Sequence, residues 1–198
     1  SYIGNSGTEK LYEKDAYTLK YDLGVNFVRT AHYSQDPDFF EACDEIGILV
    51  EEEALAWNTM PEVAKPQFTD SIISMVKRDR NHPCIIFWSI MPNEGTEANF
   101  PVAERQQIQK AVKELDPTRL TIQEENHEDY SFVTDVYANH DYVVSTSNAP
   151  AKVIKRQPYI IGEWNDNLGR VFTSPYDSED RKIRQVTDDG KKLEYFMM

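Results

Sequence analysis

Segments with helical apolar spacing alternate along this chain with short β-branched and aromatic runs. That alternation constrains the fold more than any other feature, because it calls for βα units and a parallel sheet. From Thr8 to Leu23 the residues Tyr12, Ala16, Leu19 and Leu23 recur at helical spacing, and Gly24 supplies a C-terminal stop. Val25 to Thr30 then reads as a strand, followed by a polar loop from His32 to Gln35. Asp36 is an N-cap with Pro37 at the first helical position, Phe39, Cys43 and Ile46 line one face, and Gly47 ends the helix. Ile48 to Glu53 begins as a buried strand and finishes in carboxylates, and a helix is expected from about Thr69 to Arg80. Cys84 to Ile90 is the most strand-like run, and it ends in the turn-rich Met91-Pro92-Asn93-Glu94-Gly95. Glu104 to Leu115 carries Ile108, Ala111, Val112 and Leu115 on one helical face, closed by Asp116-Pro117. Further strands are expected at Leu120 to Gln123, Phe132 to Tyr137 and Tyr159 to Gly162, and a charged helix, broken at Gly190, from Ser178 to Tyr195.

A parallel sheet leaves two architectures, a doubly wound sheet or a barrel. No Gly-rich phosphate loop follows any strand, which weakens the nucleotide-binding version. The polar residues argue for the barrel. Arg29 and His32, Glu51 to Glu53, Asn93 and Glu94, Gln123 to Asn126, and Glu163 all fall at the C-terminal ends of different strands, the active face of a (β/α)8 barrel.

At 198 residues the chain is long enough to bury a core and short enough for one domain. Its formal charge of −13 repels phosphate backbones and anionic lipid, so no nucleic-acid or membrane partner is expected. No apolar run approaches the roughly 20 residues that cross a bilayer, and the N-terminus lacks the layout of a signal peptide. Cys43 and Cys84 lack CxxC spacing and lie in apolar contexts, which reads as two buried thiols.

Glu94 and Glu163, at the ends of separate strands, could form the carboxyl pair that glycoside hydrolysis needs. One protonates the leaving oxygen; the other attacks the anomeric carbon when the groups are about 5 to 5.5 Å apart, or directs a water when they are about 6.5 to 9.5 Å apart. Taken singly, each reads first as a solvated surface carboxylate.

The surrounding residues add weight to the pair. Arg78-Asp79-Arg80-Asn81-His82-Pro83, followed by Trp88-Ser89 and Asn93-Glu94, resembles the R-x-x-N-H-P-S-I-x-x-W-S-x-x-N-E signature of family 2 glycoside hydrolases. Gly24-Val25-Asn26-Phe27-Val28-Arg29-Thr30-Ala31-His32-Tyr33 is similar to that family's G-x-N-x-V-R-x-S-H-Y, and Cys43 to Val50 to its C-D-x-x-G-x-x-V. Pro158-Tyr159-Ile160-Ile161-Gly162-Glu163-Trp164 is similar to the strand bearing the family's nucleophile.

The resemblance implies a retaining β-glycosidase working without a cofactor on terminal β-linked sugars, with Glu94 as acid/base and Glu163 as nucleophile. Asn93 would bond the sugar 2-hydroxyl, and Arg29 would help keep the nucleophile ionised. His32, Tyr33 and Trp164 would line the sugar site. Tyr142 would touch the nucleophile, with Tyr137 as the alternative, and Trp57 reads as core or rim. Each has a plainer reading as well, a turn-forming Asn or packed aromatics. An endo-acting barrel glycosidase and a non-catalytic carbohydrate-binding or scaffold fragment remain alternatives.

Two departures bear on these expectations. Ser89-Ile90-Met91-Pro92 places four residues between Trp88 and Asn93 where the family usually has three. Trp57 and Thr59 stand where the β-galactosidase branch has the carboxylate and histidine of its magnesium site, and consecutive Glu51 to Glu53 would point to alternate faces of a strand, so no metal is expected. The family barrel also implies a strand before Gly4 and another after Met198. Residues 1–198 are therefore expected to be most of one catalytic barrel domain, a fragment that is inactive alone and able to form homo-oligomers through open sheet edges.

Overall fold

A computed structural model describes residues 7–55, 60–91, 100–125, 133–141 and 159–164, with backbone only for 124, 125, 137, 139–141, 159 and 161–164. The first helix, α1 (Glu9–Tyr17), runs on through a π-helical turn, Thr18–Asp22, and buries Tyr12, Ala16 and Leu19 on one side. Strand β1 (Phe27–Arg29) leads to α2 (Pro37–Ile46), whose ends match their caps. The Asp36 carboxylate accepts from the Asp38 amide at 3.1 Å, and Gly47 closes the helix at φ 73°, a left-handed conformation that suits glycine.

Strand β2 (Leu49–Glu53) is followed by a short 3₁₀ turn, Glu62–Ala64, and by α3 (Lys65–Asp79). This helix begins four residues before the expected Thr69. Pro66 lies in its first turn, where a missing amide hydrogen costs nothing. Strand β3 (Ile85–Ser89), α4 (Val102–Leu115) and β4 (Leu120–Glu125) follow, then β5 (Val136–Asp141) and β6 (Tyr159–Trp164).

β5 begins later than the pattern from Phe132 suggests, because Asp135 joins β4 through its side chain. Its carboxylate accepts from the Thr121 amide at 2.8 Å and hydroxyl at 3.0 Å, so backbone pairing starts only at Val136 opposite Ile122. The expected helix from Ser178 lies outside the described residues.

The six strands form one sheet in sequential order, every neighbouring pair parallel. The pleat gives the sheet two unlike faces. Val28, Val50 and Trp88 face the helices and join the main core with Phe40, Ile72 and Val112. Phe87, Ile122, Val136, Ala138 and Ile160 form a second apolar cluster on the opposite face. Burying side chains of this size supplies about 1.5–3 kcal/mol each.

Arg119 closes the turn between α3 and β3. Its guanidinium donates to the carbonyls of Ile85 at 2.6 Å, Arg80 at 2.8 Å and His82 at 2.7 Å, pairs with Asp116 at 2.6 Å and lies over the Trp88 ring at 5.5 Å. Both cysteines are buried free thiols, as their contexts suggest, and burial pushes the Cys43 thiol up to about 12.

Candidate active site

The β2 strand carries three consecutive glutamates, and all three are 0% exposed. A buried carboxylate is costly unless it is paired or protonated. The pleat sends Glu51 and Glu53 to one face and Glu52 to the other, and each face meets this cost differently.

On the face shared with Phe87 and Ile122, Arg29 is the counter-ion. It sits opposite Glu51 in the β1–β2 register, with Nη2 2.7 Å from Glu53 Oε2 and Nε 3.8 Å from Glu51 Oε1. His32 joins them from the loop after β1. Its Nδ1 lies 3.0 Å from Glu53 Oε1, a contact that favours the Nδ1-protonated ring and fixes its orientation. The His32 side chain is 33% exposed while Glu53 is 0%, so the cluster has a buried base and an open rim.

Thr30 locks the two strand ends together. Its amide donates to the Glu51 carbonyl at 3.0 Å, and its hydroxyl accepts from the Glu53 amide at 2.9 Å. The Tyr33 amide returns to the Thr30 carbonyl at 3.0 Å, which turns the loop back over the strand end.

On the helix face, Glu52 meets Ser34, Arg78 and Asp79. Ser34 Oγ donates to Glu52 Oε1, and Arg78 Nη2 donates to Ser34 Oγ at 2.6 Å and to the Gln35 carbonyl at 2.7 Å. Arg78 Nε contacts both Asp79 oxygens, at 2.7 and 2.9 Å. Burial, and then the hydrogen bond and negative charge of Asp79, push the Glu52 carboxyl up to about 9. Two buried carboxyls this close favour holding a proton between them rather than two charges.

Of the residues singled out from the sequence, Arg29 and His32 come together on Glu53, and Tyr33 follows them in the same loop. Glu163 and Trp164 lie in β6, with Glu163 opposite His140 in the register, and only their backbone is described. Asn93, Glu94 and Tyr142 lie outside the described residues, as does Trp57. Glu51, Glu52 and Glu53 belong to the polar set that the sequence places at the strand ends, and as consecutive residues they are not expected to hold a metal. Among the described residues, no group of three or more His, Cys, Asp or Glu is arranged to hold a metal ion.

The signature residues around His82 tie the scaffold together away from this cluster. His82 Nδ1 bonds Asp44 at 2.7 Å, and Asp44 also accepts from the Cys84 amide at 2.7 Å, joining the end of α2 to the start of β3.

The parallel strands in sequential order with intervening helices, and a polar cluster at their C-terminal ends, are the arrangement of part of an α/β barrel. Residues 2–182 match the family described as glycosyl hydrolases family 2, TIM barrel domain, and the chain belongs to that family. Its sheet and helices are part of that barrel.

Among similar proteins, a β-galactosidase of Thermoanaerobacterium thermosulfurigenes is 33% identical over 192 residues, covering 92% of this chain and 26% of its own length. A β-galactosidase of Thermoanaerobacter pseudethanolicus is 33% identical over 184 residues, covering 92% and 24%. The chain thus spans about a quarter of the length of these curated relatives. Among solved structures, an FMN-binding β-glucuronidase from Facaelibacterium prausnitzii L2-6 superposes with TM-score 0.62 at 34% identity, over 71% of this chain and 23% of that one. A β-galacturonidase from Eisenbergiella tayi, bound to galacturonate, gives TM-score 0.68 at 25% identity, over 80% and 32%.

Proposed function

We propose that residues 1–198 belong to the catalytic barrel of a retaining β-glycosidase that removes terminal β-linked sugars by double displacement. Glu163 attacks the anomeric carbon and forms a covalent glycosyl-enzyme. Glu94 protonates the departing oxygen and then, as a base, activates the water that releases the sugar. The observation that carries this reading is the family match over residues 2–182 combined with the Arg29–Glu53–His32 cluster at the ends of β1 and β2.

The cluster supports a polar ligand. His32 is held by a carboxylate on one nitrogen and is partly exposed, the arrangement of a ring oriented for contact. Asn93 takes the 2-hydroxyl, and Arg29, Tyr33, Tyr142 and Trp164 complete the sugar site. The substrate is a carbohydrate, and the strong negative charge of the chain argues against a nucleic-acid role. Among the described residues no helix is long and apolar enough to cross a membrane.

The test is hydrolysis of aryl β-galactosides, β-glucuronides and β-galacturonides by the intact protein and its E94Q and E163Q variants. The E94Q variant loses about 10² to 10⁴-fold in rate, the usual contribution of a positioned acid/base, and E163Q loses at least as much. An intact protein that binds these sugars but cleaves none, or variants that keep full rate, would contradict the proposal.

A further inference from the structure

The loop from His32 to Gln35 is held from two sides of one strand. Glu53 binds the His32 ring on one face of β2. One residue earlier and on the opposite face, Glu52 binds the Ser34 hydroxyl, while Arg78 from α3 donates to the same hydroxyl and to the Gln35 carbonyl. Adjacent residues of a single strand thus reach around both flanks of a four-residue loop, a geometry that only the pleat makes possible.

We propose that Glu52 is a positioning residue for this loop: its carboxyl grips Ser34 from the helix side of β2 and so sets where His32 and Tyr33 stand. This rests on the reading of His32 as a sugar-contacting residue, and it adds a determinant outside the sugar site.

The bonding pattern defines the form in which Glu52 acts. Ser34 accepts the Arg78 hydrogen and passes its own to Glu52 Oε1, which uses one carboxyl oxygen as an acceptor. Glu52 Oε2 is buried and has no partner as a bare carboxylate oxygen. The Glu52 carboxyl lies within hydrogen-bond reach of the Asp79 carboxyl, which is taken on both oxygens by Arg78 Nε. A proton on Oε2 completes the arrangement, because the acid then donates to Asp79 while Oε1 still accepts from Ser34. The charged groups facing this assembly are Asp79 and Arg78 of α3, with Asp36 beyond Arg78.

Glutamine reproduces that pattern, its carbonyl oxygen accepting from Ser34 and its amide donating to Asp79. Alanine removes both. The experiment compares wild type, E52A, E52Q and S34A in the intact protein, reading steady-state kinetics on a cleaved β-glycoside and amide hydrogen exchange over residues 30–36. E52A is expected to raise KM about tenfold with a smaller change in kcat, the signature of lost ground-state positioning, and to speed exchange in the loop. E52Q restores both, and S34A moves both in the direction of E52A.

Wild-type exchange and KM in E52A, or an E52Q variant that behaves like E52A, overturns the proposal. Should E52A unfold, with exchange rising across β2 and β3 as well, S34A decides, since it deletes one hydroxyl and leaves the buried acid in place. If the intact protein cleaves no β-glycoside, the proposed function fails while loop exchange in S34A and E52Q still decides the clamp.

Discussion

Replacing Arg119 by Met tests how the scaffold beneath the site is held. The guanidinium satisfies the carbonyls of Ile85, Arg80 and His82 and pairs with Asp116, and its side chain is 16% exposed. Hydrogen bonds from a charged donor contribute about 1.5–3 kcal/mol each when their loss leaves a buried acceptor unmet. Not all four count fully. The Arg80 bond is exposed, so water replaces it at small cost, and the His82 carbonyl also accepts from the Ile85 amide at 3.3 Å. Asp116 keeps its bonds from Thr118 and from Trp88 Nε1 at 3.0 Å. The Ile85 carbonyl is the main loss, together with the Asp116 pairing and the stacking on Trp88.

The sum is a destabilisation of about 3–5 kcal/mol for R119M. R119K, which keeps the charge but not the fork, is expected to recover about half of it. Denaturant unfolding of the barrel at pH 7 measures the difference. Burial alone would raise the Asp116 carboxyl, but hydrogen bonds from Thr118, Arg119 and Trp88 outweigh it and hold the group well below the usual carboxylate range. A depressed acid stabilises the fold above its ordinary value of 3.8 and loses that contribution as pH falls further, so the gap between R119M and wild type narrows below pH 3.8. A change under about 1 kcal/mol at pH 7 would show that water replaces the whole fork and would refute the reasoning.

Three further outcomes follow from the same structure. R29M removes the guanidinium that Glu51 and Glu53 share and is expected to cost about 3–5 kcal/mol by thermal or chemical unfolding; a neutral result would mean that Arg29 is not the counter-charge that holds these carboxyls in the fold. For Glu52, the folded chain keeps a proton that the unfolded chain releases between about 4.5 and 9, so wild-type stability falls with rising pH in that window. E52Q has no such proton, so its stability relative to wild type should grow as pH rises through that window; a pH-independent difference between the two would place an ionised Glu52 in the fold. Gly47 adopts φ 73° with open space around it, so G47A should cost only the left-handed strain, about 1–2 kcal/mol, without a clash; a larger loss would point to a contact at this turn.

Much of this fold is readable from local pattern, and its failures have physical causes. Asp36, Pro37 and Gly47 bound α2 because cap and stop are each written in single residues. The start of α3 is not legible in the same way, since the helical spacing expected from Thr69 does not reveal that Pro66 is seated in the first turn. The late start of β5 depends on the Asp135 side chain reaching Thr121 across the sheet, a contact between strands that periodicity within a strand does not contain.

The polar cluster shows the same division. Arg29 and His32 are visible because they end a strand, but the burial of Glu51 to Glu53 depends on partners from β1, its loop and α3. The available signal was the alternation itself: three acids in a row on a buried strand require a cation or a proton on each face, and Arg29 and Arg78 lie on the neighbouring elements. Glu94 and Glu163 came from motif resemblance, and spacing alone did not separate them from surface carboxylates.

The most direct test of the central claim is to trap the glycosyl-enzyme. Incubating the intact protein with an activated 2-deoxy-2-fluoro β-glycoside slows both steps by destabilising the oxocarbenium-like transition state, and a good leaving group lets the first step win. The account predicts time-dependent inactivation and one 2-fluoroglycosyl group, located by peptide mass spectrometry on Glu163. Turnover without a covalent adduct, or an adduct on any other residue, would contradict it.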